Sequence, residues 1–180
     1  MSAQEDHAVF LKKMINFLNK NLTVNFLVVF VIFFLDRITK KYVINLNEKN
    51  YSSELLNSKF LDIRLIWNEG IAFGLFSFNE EFFYNILTFI IGMVIIIVLI
   101  MIKKSEGLKK YSLLMIIGGA LGNFYDRIFF KAVPDFIDFH VGNFHWFIFN
   151  VSDIFITVGV VLMIVLELIS NKKENINEKS

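Results

Sequence analysis

The feature that most limits what this chain can become is a run of 21 uncharged residues, 82–102. As a helix it has about the length needed to cross a ~30 Å hydrocarbon core. Three shorter uncharged runs accompany it. They are 22–35, ending at Asp36; 111–125, ending at Asp126-Arg127; and 154–166, preceded by Asp153. Each reaches spanning length only by taking in ionisable residues at one end. The pattern predicts an all-α membrane protein, a bundle of four transmembrane helices near 22–44, 81–102, 111–131 and 150–170. Charged residues are only 19% of the chain, where a soluble domain carries about a quarter. That excludes disorder and argues against an ordinary water-soluble enzyme. A net charge of +1 offers nucleic acid no basic field. With no Cys there is no disulfide, thiolate zinc site, Cys nucleophile or thioether lipid anchor.

Lysines orient the bundle. The two ends and the second connection carry Lys12, Lys13 and Lys20, then Lys103, Lys104, Lys109 and Lys110, then Lys172, Lys173 and Lys179. The positive-inside rule therefore expects both termini in the cytoplasm. No small-x-small cleavage site follows 22–35, so the first span reads as uncleaved. Residues 1–21 form an amino-terminal tail in which Phe10, Met14, Phe17 and Leu18 recur at helical spacing between lysines. Such a segment is a surface-lying helix or a frayed tail. Residues 171–180 form a second cytoplasmic tail. The outer connection, about 45–80, includes an alternating stretch with Leu61, Ile63, Leu65 and Trp67 on one face. That alternation predicts a small β-containing extracytoplasmic cap between helices 1 and 2.

With this orientation Asp36 lies roughly 20 Å from the inner edge, at ~1.5 Å per residue. Asn123, Asp126 and Arg127 on helix 3 reach a similar depth, and Asn150 and Asp153 begin helix 4. Asp36 and Lys40 are spaced i,i+4, as are Asn123 and Arg127; Asn150 and Asp153 are i,i+3. One such pair is as well explained by a simple internal ion pair. Three at one level favour a site, because intramembrane charges usually face a bundle interior. Gly118 and Gly122 form a small-xxx-small ridge for close helix packing. Asp135 and Asp138 fall in the third connection beside Pro134. Spacing alone reads them as two solvated loop aspartates. The sharper reading has one of them meeting Asp153 to make an acid–base pair that needs no metal. His140 and His145 lack a third ligand and read as surface or interfacial residues rather than a metal site. Trp67, Trp146, Tyr42 and His145 fit an interfacial aromatic belt. Two other classes compete: a small ion or solute transporter using the intramembrane Asp, Lys and Arg residues, and a non-catalytic lipid-binding or assembly subunit. Against a transporter stand the missing internal repeat and the gathering of charge towards one face.

The strings FLDRITK (34–40), NEGIAFGLF (68–76), GGALGNFYDR (118–127), VPDFIDF (133–139) and FNVSD (149–153) occur in this order on four spans. Together they resemble the lipoprotein signal peptidases, or signal peptidase II, over about 22–170. The resemblance implies an aspartic peptidase of the bacterial inner membrane, with no cofactor or metal and its site near the outer face. Its substrates would be prolipoproteins, cut before a cysteine that bears diacylglycerol, in contact with membrane lipid and with no second subunit required. The family's dyad falls on Asp135, rather than Asp138, and on Asp153. Its supporting residues fall on Asp36, Lys40, Asn68, Asn123, Arg127 and Asn150. Ser152 and Pro134 depart modestly from the family pattern, which has Ala and an apolar residue there.

Overall fold

A computed structural model describes the backbone of residues 3–50, 54–70, 80–142 and 144–177, with side chains over 22–49, 56–70, 81–142 and 144–170. Four helices are long and apolar enough to cross a membrane: α1 (Ala3–Asn50), α2 (Glu80–Lys104), α3 (Gly107–Phe130) and α4 (Val151–Asn177). Their spanning parts are Leu22–Lys49, Glu81–Lys104, Gly107–Phe130 and Val151–Ser170. Backbone 3–21 simply continues α1. The residues 71–79, which include most of the NEGIAFGLF string, lie outside the described residues.

α3 is the central helix. Half of its membrane-length stretch is buried, against 11% for each of the other three. Its glycines explain how neighbours come so close. A Cβ at Gly118 would sit 2.9 Å from Ile32 of α1, and one at Gly122 would overlap Ser152 Oγ and lie 2.6 Å from Asp36 Oδ2. The small-residue ridge thus admits α1 and α4 together. Ile95 and Val98 of α2 pack on Leu113, Ile116 and Ile117 of α3 as the bundle core. Phe89, Ile100 and Val161 are among many large apolar side chains left exposed. In water so large an apolar surface would drive association, whereas against lipid it costs nothing.

The sheet is larger than the alternation in 61–67 predicts. β1 (Glu54–Leu56) and β2 (Leu61–Asn68) come from the first connection. β3 (Val133–Val141) and β4 (Phe144–Phe149) come from the connection between α3 and α4. The four pair antiparallel in chain order. Pro134 lies opposite Trp67 of β2 at a level that β4, which first meets β3 at Ile137, does not reach, so β3 is an edge there, where Pro is tolerated. Leu65 and Phe136 pack on Val43 of α1. The sheet is thereby seated at the end of the bundle where the polar residues of α1, α3 and α4 collect.

Candidate active site

The start of α4 organises the site. Asn150 precedes the helix, and its Oδ1 accepts the Asp153 N–H at 3.2 Å while Asp153 Oδ2 accepts the Asn150 N–H at 3.1 Å. This reciprocal capping box satisfies two donors that a helix end otherwise leaves unpaired. A third, the Ser152 N–H, goes to Asp36 Oδ1 at 3.1 Å, from α1. The i,i+3 spacing of Asn150 and Asp153 is therefore a cap, and it points the Asp153 carboxylate back at the sheet.

With its Oδ1 committed to the cap, Asn150 turns its Nδ2 outward and donates to Asp135 Oδ1 at 2.6 Å. One residue thus touches both carboxylates. Asp135 Oδ2 accepts from Asn68 Nδ2 at 2.9 Å, and Asn68 Oδ1 is held by the Gly70 N–H at 2.8 Å. On α3, Asn123 donates to Asp153 Oδ1 at 2.7 Å while its own Oδ1 accepts from Lys40 Nζ at 2.8 Å. Three amides are therefore each fixed by a group that can only donate, and each presents its NH₂ to a carboxylate. Asp135 is buried, and burial raises its carboxyl above the ordinary range. The donors Asn68 and Asn150 oppose that rise, and the charge of Asp153 adds to it.

Behind Asn123 lies a four-charge cluster. Lys40 Nζ is 2.9 Å from Asp36 and 2.7 Å from Asp126, and Arg37 reaches both carboxylates, gripping Asp126 with both terminal nitrogens. Asp36 and Asp126 are fully buried and Lys40 nearly so. Two carboxylates and two cations balance, as buried charges require. Arg37 and Asp126 are the functional-site residues that the sequence reading left out of its site. Asp126 sits i,i+3 from Asn123, and Arg37 is one residue from Asp36. Counting charge across α1 and α3 points to both, since the pairing of Asp36 with Lys40 leaves Asp126 without a cation.

The structure brings Asp36, Lys40, Asn68, Asn123, Asn150, Asp135 and Asp153 into one hydrogen-bonded chain. Arg127 does not join it. Its Nη1 donates to the Asn123 carbonyl at 3.2 Å, one turn back, and its Nε is buried without a partner among the described residues. The loop reading of Asp135 and Asp138 is corrected: both lie in β3 and both are buried. Asp138 is fully enclosed, 2.7 Å from Arg64 and 2.9 Å from His145, and belongs to the sheet rather than the site. His140 stacks on His145 and lies 3.2 Å from Asp62. A cavity of about 210 Å³ opens beside Asp153, lined by Phe147, Phe149, Ile154, Thr157 and Val158.

Four spanning helices under a sheet, with two carboxylates bridged by one asparagine, define a polytopic membrane protein with a polar site at one end of the bundle. The signal peptidase (SPase) II family matches residues 28–169. Among relatives, the lipoprotein signal peptidase of Pelagibacter ubique (strain HTCC1062) is 48% identical over 161 residues, 89% of this chain and 96% of its own. That of Francisella tularensis subsp. mediasiatica (strain FSC147) is 41% identical over 137 residues, 74% of this chain and 84% of its own. A solved bacterial membrane enzyme structure superposes with a TM-score of 0.67 at 30% identity, covering 84% of this chain and 91% of that one. The chain belongs to the signal peptidase II family, and is a multi-pass bacterial membrane peptidase. Membership decides against the transporter reading, which rested on charges inside the spans alone.

Proposed function

We propose that the protein removes signal peptides from diacylglyceryl-modified prolipoproteins, cutting before the lipidated cysteine, with Asp135 and Asp153 as an aspartic dyad. The observation that carries this reading is Asn150, which donates to Asp135 through its side chain and to Asp153 through its backbone. It holds the two carboxylates at one place, where two such groups share a proton rather than both ionise. One carboxylate takes a proton from water as that water attacks the scissile carbonyl. The protonated partner hydrogen-bonds the carbonyl oxygen and then delivers its proton to the leaving amine. Asn68, Asn123 and Asn150 orient the dyad, while Asp36 and Lys40 brace it from α1. Arg127 braces the Asn123 carbonyl from one turn further along α3. The apolar cavity beside Asp153 suits the apolar residues around the cut.

The lysine-rich ends support cytoplasmic termini, which puts the dyad near the outer face, where a diacylglyceryl cysteine lies. Purified protein incubated with diacylglyceryl-modified and unmodified forms of one precursor tests the substrate assignment. The product of the modified form is expected to begin at the lipidated cysteine by mass spectrometry, with the unmodified form uncut and EDTA without effect. Equal cleavage of both forms, or a different new amino terminus, would sink the assignment.

A further inference from the structure

The face of the bundle between α1 and α3 carries a second groove that shares no lining residue with the cavity beside Asp153. Its lower part, about 460 Å³, is wholly apolar, with Phe26, Phe30 and Phe33 on one wall and Leu121, Phe124 and Ile128 on the other. Its upper part, about 670 Å³, shares Phe33 and Tyr125 with the lower and is lined at the sheet end by Trp67 and several charges. Arg37 and Lys40 are committed to Asp36 and Asp126. Lys41 and Glu48 are not: both line the upper part, both are exposed, and neither forms an ion pair with any described residue. They are seven residues apart, hence on one helix face with Glu48 about 10 Å further towards the sheet end.

From bundle to sheet end the groove therefore runs from an apolar slot about 15 Å long, between Phe26 and the level of Arg37, to a cation and then an anion, each unpaired among the described residues. That order matches a zwitterionic glycerophospholipid, with an acyl chain, a phosphate and then an ammonium, and a primary ammonium can also donate hydrogen bonds to Glu48, which a quaternary one cannot. We propose that this groove binds a membrane phosphatidylethanolamine. An acyl chain lies along the phenylalanines, the phosphate meets Lys41, the amine meets Glu48, and Trp67 sits at the interface level. The glycerol headgroup of phosphatidylglycerol would instead face Glu48 with neutral hydroxyls and leave its charge without a cation. The upper part is also walled by Lys40 and Asp126, so the occupant covers the back of the chain that reaches Asn123.

The test is native mass spectrometry of the full-length protein released from micelles holding equimolar phosphatidylethanolamine and phosphatidylglycerol with identical acyl chains. Wild type is expected to retain a single phosphatidylethanolamine, favoured about fivefold, the size of one interfacial charge contact. Lys41→Ala is expected to lose the adduct by a similar factor. Glu48→Ala is expected to bring the two lipids to parity. Lys49→Ala, which removes an exposed cation of the same helix that does not line the groove, is expected to change nothing. Equal retention of both lipids by wild type, unchanged retention in Lys41→Ala, or an equal loss in Lys49→Ala would each overturn the proposal.

Discussion

Lys40 Nζ donates to Asn123 Oδ1 at 2.8 Å, and this contact decides which end of the Asn123 amide meets Asp153. An ammonium has no acceptor, so the oxygen of Asn123 must face Lys40 and its NH₂ must face the carboxylate. Asn123→Asp retains the partner of Lys40 but sets an acceptor against Asp153. It is expected to keep the fold and to lose at least about tenfold in kcat, the scale of a misdirected proton-transfer group, with the acid limb of the pH–rate profile moved. Steady-state kinetics at several pH values measures both. Wild-type kcat in Asn123→Asp would show that the amide orientation has no role.

Asp138 separates fold from chemistry. It is fully buried, whereas Arg64 and His145 beside it are partly open to solvent and can rehydrate. Asp138→Asn is therefore expected to cost about 1–2 kcal/mol, between an exposed and a buried ion pair. A thermal melt in detergent should show the loss, while turnover per folded molecule stays near wild type. The effect on cleavage is expected to be mild because Asp138 lies outside the proposed dyad, and the stability cost comes from its burial in β3.

Much of the architecture is legible in the sequence because a bilayer leaves few options: uncharged length sets the spans, and intramembrane charges mark where they converge. The elements that escaped were set by tertiary pairing. The strands β3 and β4 carry Asp135, Asp138 and two histidines in a mixed run with no clean alternation, since both faces of β3 are covered at Val133 to Phe136. Arg37 and Asp126 each sit beside a more conspicuous charge, Asp36 and Arg127; the crossing of α1 with α3 turns Arg37 inward together with Asp36, and Asp126 inward in place of Arg127. Arg127, three residues from the end of α3, bonds back along its own helix instead.

Ser152 stands where the family pattern has Ala, and its Oγ is buried with no hydrogen-bond partner among the described residues. An unsatisfied buried hydroxyl costs stability. Ser152→Ala is expected to stabilise the protein by about 1 kcal/mol and to leave turnover unchanged. A lower melting temperature in this variant would mean that the hydroxyl is satisfied.

The sheet carries its own pH dependence. Nδ1 of His140 is 3.2 Å from the Gly142 carbonyl, and its Nε2 lies 3.2 Å from Asp62 at ion-pair distance without hydrogen-bond alignment, so both neighbours favour the charged ring. Burial opposes the charged ring, but Asp62 and Gly142 outweigh it and raise His140 above its ordinary value. Its contribution is therefore full below about pH 6.5 and is lost as pH rises through the raised value. Asp62 is lowered, chiefly by the Ser58 N–H, so its contribution fails only in acid, as pH falls through that depressed value. The His140 amide, which donates to the Phe60 carbonyl at 3.0 Å, is expected to be better protected from hydrogen exchange at pH 6 than at pH 8 after correction for intrinsic rates. His140→Gln should abolish the difference. Equal protection of the wild type at both pH values would contradict this.

The central claim is that Asp135 and Asp153 together perform the hydrolysis, and the most direct measurement is turnover of a diacylglyceryl prolipoprotein by purified Asp135→Asn and Asp153→Asn. Both changes conserve shape, so both proteins are expected to fold. Each is expected to lose at least about a hundredfold in kcat, the lower end of general acid–base catalysis, with substrate binding retained. Near-wild-type turnover in either variant would contradict the account.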